Sequence, residues 1–373
     1  MLKTTLTIAI LFATTAVGVT VPRAQVSESA KAESAKVARL PLTKCWDYRF
    51  PTGTGQIIAG LNDKIFVSEQ DGKLRAITSA SNETLWVSEL GGRIEAVLPL
   101  GPHGIFVVTT TKETTNIFQS RLRLLDLHSG LTKYTSPVTT NNVVYLKLAG
   151  SRVNVIHGSG DIESFDADTG TSLWKARASG RISAEPTVFE NTIAVSTDAK
   201  KIDFISALDG SISSTISTPR EITALAFRAN QMLIAGDDRG NVTSYRDQSG
   251  AIWWSFKSGG RIGSIVETDD GILVGSYDNF VYMISKYSGD VKWKRRLDGR
   301  VTYRPIVMRK ELAVPVAGSG DLIVVDIDQG KILEQTPFGN ERVSIAEPIL
   351  SDKGMLVFPV EGGLIGFSSY GCK

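Results

Sequence analysis

The chain has 373 residues, of which 41 are Lys or Arg and 39 are Asp or Glu, so its net charge is close to zero. That balance argues against a dedicated nucleic-acid binder, which would carry a basic excess gathered on one face. The length is ample for a full core and, in an all-β protein, is compatible with one domain.

Residues 1–18 read as a secretory signal. Lys3 supplies the positive start, Leu6 to Val21 is an apolar run, and Ala16 and Gly18 stand at the small-residue positions of a cleavage site. The run is short of the roughly 20 residues a membrane span needs; a short anchor is the alternative. No Cys stands near the cleavage region, so lipid attachment there is not expected. Residues 19–44 are rich in Ala, Ser, Lys and Glu from 25 onward and lack aromatics. They read as a flexible tether, with a short surface helix as the alternative.

From 45 to 373 the chain repeats itself. Turns recur at Ser129-Gly130, Thr169-Gly170, Asp209-Gly210, Ser249-Gly250, Ser288-Gly289 and Gln329-Gly330, with steps of 40, 40, 40, 39 and 41 residues. Asn82, 48 residues upstream of Gly130, and Gly371, 41 beyond Gly330, bring the number of turns to eight. Before each turn lies an alternating apolar strand, such as Ile162 to Phe165. After it comes a strand with an aromatic four residues past the turn: Trp86, Tyr134, Trp174, Trp254 and Trp293. A Gly-Arg-Ile/Val segment follows, then a strand often holding Pro (Ala184-Glu185-Pro186, Tyr303-Arg304-Pro305, Ala346-Glu347-Pro348), then a short apolar strand. Four short strands per unit of about 40 residues is the spacing of a propeller blade, and the period-2 alternation excludes a helical solenoid. The expected fold is all-β: an eight-bladed β-propeller with four-stranded antiparallel blades.

Phe165 to Gly170 with Trp174, and Ser285 to Gly289 with Trp293, resemble the quinoprotein-type (PQQ-like) propeller repeat. The likeness runs over roughly 45–373, although the units around Gly210 and Gly330 carry Ser214 and Glu334 in place of the aromatic. The rings Trp46, Trp86, Trp174, Trp254 and Trp293 are expected to dock each blade on its neighbour, each burying about 150–250 Å².

The chain begins in mid-blade. Cys45 to Phe50 reads as the strand after a turn, and Ile57 to Ala59 and Ile65 to Val67 as the next two strands of that blade. Gly363 to Phe367 then supplies the strand before the turn at Gly371. The last blade is thus expected to share one C-terminal with three N-terminal strands, which removes exposed edges. The only cysteines, Cys45 and Cys372, fall on the two sides of this split turn. An exported chain with an even count permits their disulfide; two free thiols are the alternative.

Catalytic signals are scarce. His103, His128 and His157 show no metal-ligand spacing, and His128 in its turn reads as a solvated residue. Dehydrogenases of the resembled family hold a quinone and calcium, commonly with adjacent cysteines, which this chain lacks. Asp126, Asp166 and Asp326 precede turns and read as turn hydrogen-bonders. No enzyme activity, cofactor or metal is expected, with a quinone-dependent dehydrogenase as the rival. The candidate partner site is an arginine repeated in register: Arg93, Arg181, Arg261, Arg300 and Arg342, with Glu221 beside Arg220 in the intervening unit. Each precedes an innermost strand, which places it near one mouth of the channel; local packing of the Arg stems is the alternative.

Size, signal and blade type look like the propeller-subunit family of the bacterial outer-membrane barrel-assembly machinery. The resemblance implies a monomeric, non-catalytic periplasmic scaffold that docks on an assembly complex or on unfolded outer-membrane proteins, and reaches the membrane only through a partner. A eukaryotic lumenal or secreted propeller is a further alternative, given the sequons at Asn82 and Asn241.

Overall fold

The computed structural model describes residues 40–50, 55–101, 103–112, 118–139, 144–228, 232–317, 321–337, 347–368 and 371–372, with backbone only at 55–57. The expected signal (1–18) and the tether up to residue 39 lie outside them. Residues Ala38–Lys373 form one compact unit. Its described elements are strands, arranged as eight four-stranded antiparallel sheets. Blades 1 to 7 occupy residues 55–89, 93–138, 144–177, 187–217, 222–257, 262–296 and 306–337. Blade 8 combines 349–350, 355–360 and 363–368 with 43–49.

Blade 3 illustrates the plan. Val144–Ala149, Arg152–His157, Asp161–Asp166 and Ser172–Arg177 pair in sequence order. First strands of neighbouring blades touch one another and line the channel. The second and third strands are sealed between blades: Val153, Val155, Ile156 and Ile162 have no exposed surface. Outer strands alternate exposed and half-buried residues, as a strand with one solvated face should. A register shift opposite each turn, between Ser164 and Phe165 here, recurs in every blade and bends the outer strand onto its neighbour.

The outer-strand aromatics latch one blade to the next. The ring nitrogens of Trp46, Trp86, Trp174, Trp254 and Trp293 donate to the carbonyls of Ser79, Leu127, Ala207, Lys286 and Ile327, each just before the next blade's turn. Tyr134 donates to Ala167 in the same way. The ring lies over the turn glycine, so a Cβ at Gly210 would stand 2.6 Å from Trp174 and one at Gly330 2.5 Å from Trp293. These glycines also have positive φ, so the position excludes a side chain twice over. Where the aromatic is missing the crowding goes with it: Gly250, facing blade 4 and Ser214, has only an Ile216 methyl at 3.4 Å, and Gly371 has nothing within 4 Å.

Closure of the ring differs from the expected partition. Blade 8 takes three strands from the C-terminus and one, Thr43–Arg49, from the N-terminus. Residues 55–61 and 64–69 are the first two strands of blade 1, paired with 73–78 and 84–89. The turn marks the boundary between third and fourth strands, so the segment after the outermost strand has already crossed into the next blade. Packing against the propeller already includes residues ahead of 45: Leu42 is buried between blades 7 and 8. Its backbone N–H donates to both carboxylate oxygens of Glu334 at 3.0 and 2.9 Å. Glu334 occupies the aromatic position of blade 7, where it clamps the incoming N-terminal strand. Cys45 is the extra residue of the blade 8 register shift, and it forms the disulfide to Cys372 with Cα atoms 5.2 Å apart.

Candidate functional site: the arginine-bearing face

In a blade of this order, the connection entering the first strand and the loop joining the second and third strands lie on one face. Backbone hydrogen bonds fix the two together. Asp198 donates to the Arg181 carbonyl, Asp238 to Glu221, Tyr277 to Arg261 and Ala317 to Arg300, at 2.9, 3.1, 2.9 and 3.0 Å. The arginine register therefore sits on this face in blades 4, 6 and 7, and its arginines are exposed. The structure brings two of them together: the Arg261 and Arg300 guanidinium carbons lie 5.8 Å from the Tyr277 ring centre, one from each connection. Arg181 stands on its own blade, its backbone N–H held by Asp198. Arg93 chelates the buried Glu95 on its own strand, which occupies its charge locally. Arg342 lies outside the described residues.

The channel below carries a charge network that the sequence reading passed over. Lys147 of blade 3 pairs with Glu185 of blade 4 at 2.5 Å; Glu185 also pairs with Arg304 of blade 7 at 2.7 Å. Arg304 faces Glu347 of blade 8 at 3.7 Å. The Glu185–Arg304 pair joins non-adjacent blades across the lumen, and the other two pairs extend it to a neighbouring blade at each end. Thr223 and Ser264 of the intervening blades line the same cavity. Burial opposes ionisation of Glu185, but Lys147 and Arg304 outweigh it and hold the carboxyl below its usual value. Glu347 is pushed up by its surroundings, with Arg304 only partly offsetting this. Glu185, Arg304 and Glu347 each precede the Pro that opens an inner strand. That alternation of sign before Pro was the available signal.

The remaining candidates are structural in their contacts. Asp126 accepts hydrogen bonds from the Ser129 backbone and hydroxyl and the His128 backbone, which hold its carboxyl down at about 2. Asp166 and Asp326 bind their own turns likewise. His103 contacts Asp168 at 2.9 Å, and His157 is buried beside Glu163. Among the described residues no group of His, Cys, Asp and Glu is arranged to hold a metal ion. Both sequon amides are engaged, Asn82 on the Asp47 carbonyl and Asn241 on Asp237.

The family model for outer membrane protein assembly factor BamB matches residues 119–215 and 213–361. No curated protein sequence matches. Among solved structures, BamB from Moraxella catarrhalis aligns with TM-score 0.67 at 18% identity, covering 88% of this chain and 98% of that one. The computationally designed Ika8 protein aligns with TM-score 0.72 at 15% identity, covering 87% and 99%. The C-terminal WD40 domain of Sif2 aligns with TM-score 0.73 at 11% identity, covering 89% and 99%. At these identities the structural matches show the shared propeller fold; the family model spans most of the repeat region. The chain belongs to the family of outer membrane protein assembly factor BamB.

Proposed function

We propose that this protein is an exported, non-catalytic scaffold of the periplasm that binds protein partners during outer-membrane protein assembly, and that it meets the membrane through a partner. Membership of the BamB family is the observation that carries the reading. The geometry supports it. The face that carries Arg181, Arg261 and Arg300 offers planar donors suited to protein carboxylates. The charges that a small ligand would meet on the axis are already paired with one another.

The test is removal of the protein from its native cell, with quantification of folded barrel proteins in the outer membrane. The scaffold reading expects their level to fall and to recover when the intact chain is restored. Unchanged barrel proteins, together with loss of a dye-linked, quinone-dependent alcohol oxidation, would return the dehydrogenase reading to first place.

A further inference from the structure

We infer that the seam between blades 6 and 7 is a carboxylate-binding site for an acidic segment of a partner protein, built from Arg261, Tyr277 and Arg300. The inference rests on the scaffold reading and gives it a place and a chemistry.

Equivalent positions around the ring differ from blade to blade. The loop residue that hydrogen-bonds the register carbonyl is Asp198 in blade 4 and Asp238 in blade 5. Blade 6 has Tyr277 there and blade 7 has Ala317. Blades 6 and 7 therefore carry no acid at this loop position, and it is there that two register arginines come together. Among the described residues neither Arg261 nor Arg300 reaches a carboxylate; both instead approach the ring of Tyr277. The nearby Asp278 is already engaged by the Gly259 and Phe280 backbones and the Tyr282 hydroxyl.

Two guanidinium groups at the same phenol ring offer bidentate donors beside an apolar floor. A carboxylate is favoured over a phosphate because the scaffold reading on which the site rests gives it a protein partner, whose anionic side chains are Asp and Glu. The partner would supply the carboxylate, and the contact would set specificity and association rate.

The experiment uses the full chain and a fluorescein-labelled hexaglutamate peptide, read by anisotropy at low and high salt. Arg261→Gln with Arg300→Gln is expected to weaken peptide binding about tenfold or more, as loss of charge-assisted bonds should. Arg121→Gln with Arg246→Gln removes the same charge from exposed positions elsewhere and is expected to bind as wild type. Melting temperatures of both variants should match wild type. Equal binding by all three proteins would overturn the site. So would a double variant that loses anionic phosphatidylglycerol vesicles while binding peptide normally, which would assign the arginines to a lipid surface. Capture of partners from the native envelope separates the two readings. A wild type that captures none overturns the scaffold, whereas capture undiminished in the double variant overturns this site alone.

Discussion

A single added methyl group tests whether the outer-strand ring is what demands glycine at the turn. Gly210 and Gly250 occupy equivalent turns with φ of +77° and +86°, so alanine suffers the same left-handed backbone penalty at both. That shared cost is about 1–2 kcal/mol. The surroundings differ. At Gly210 the new Cβ meets Trp174 carbons at 2.6 and 3.0 Å; at Gly250 its closest neighbour is an Ile216 methyl at 3.4 Å. Trp174 cannot give way freely, because its ring nitrogen is bound to the Ala207 carbonyl at 3.0 Å. Overpacking of this kind adds about 1–3 kcal/mol. Gly210→Ala should therefore cost about 1–3 kcal/mol more than Gly250→Ala. Urea unfolding with the disulfide intact reads this as a larger fall in midpoint at constant slope. Pairing Gly210→Ala with Trp174→Ala should give a non-additive loss, since the two residues touch. Equal losses for the two alanines, or strict additivity in the pair, would refute the argument that the ring sets the turn.

Three further outcomes are expected. Replacing Cys45 and Cys372 together by Ser opens a loop of 327 residues' separation, with a chain-entropy loss on the order of 5 kcal/mol as an upper bound; a non-reduced digest should show the cross-linked peptide, and thermal unfolding of the double variant should show the loss. Glu334→Ala removes the acceptor of the Leu42 N–H and should cost about 1.5–3 kcal/mol, seen as faster amide exchange at Leu42 and a lower urea midpoint. The third concerns Glu163, which is almost fully buried. Burial opposes its ionisation, but His157, Thr139 and Lys175 override that and hold its carboxyl at about 2 against an ordinary 4.5. Its folded value is depressed, so its stabilisation is complete above about 4.5 and is lost as pH falls toward 2. The full effect is on the order of 3 kcal/mol. The stability difference between wild type and Glu163→Gln should shrink across that window; a constant difference would show that Glu163 acts by shape alone.

The architecture was legible because each blade must solve the same packing problem. A turn glycine under a ring, four residues before the next blade's own aromatic, leaves a period in the sequence whatever else varies. The phase of the blade was not legible from that period. The turn at Gly371 and the strand at Cys45 read as one hairpin, which they are, but nothing local to Ile57 or Ile65 says that hydrogen bonding has passed to a new sheet. Glu334 was visible only as a lost aromatic, because the group it holds, the Leu42 amide, lies 292 residues upstream. The arginine register was legible as a repeat. Its division into the chelated Arg93, the separate Arg181 and the Arg261–Arg300 pair depends on Glu95 and Tyr277, one on the strand itself and one on a loop of another hairpin. The channel charges were written in plain sight before Pro186, Pro305 and Pro348. Reading them as a network required the ring to be closed, since only closure sets blade 4 across from blades 7 and 8.

The proposed scaffold role requires protein partners in the cell envelope. The most direct measurement is affinity capture of the mature chain from its native envelope after brief cross-linking, with the bound proteins identified by mass spectrometry. Subunits of an outer-membrane assembly complex or unfolded outer-membrane proteins should be retained. Their absence, alongside a purified chain that carries quinone absorbance and oxidises alcohols, would contradict it.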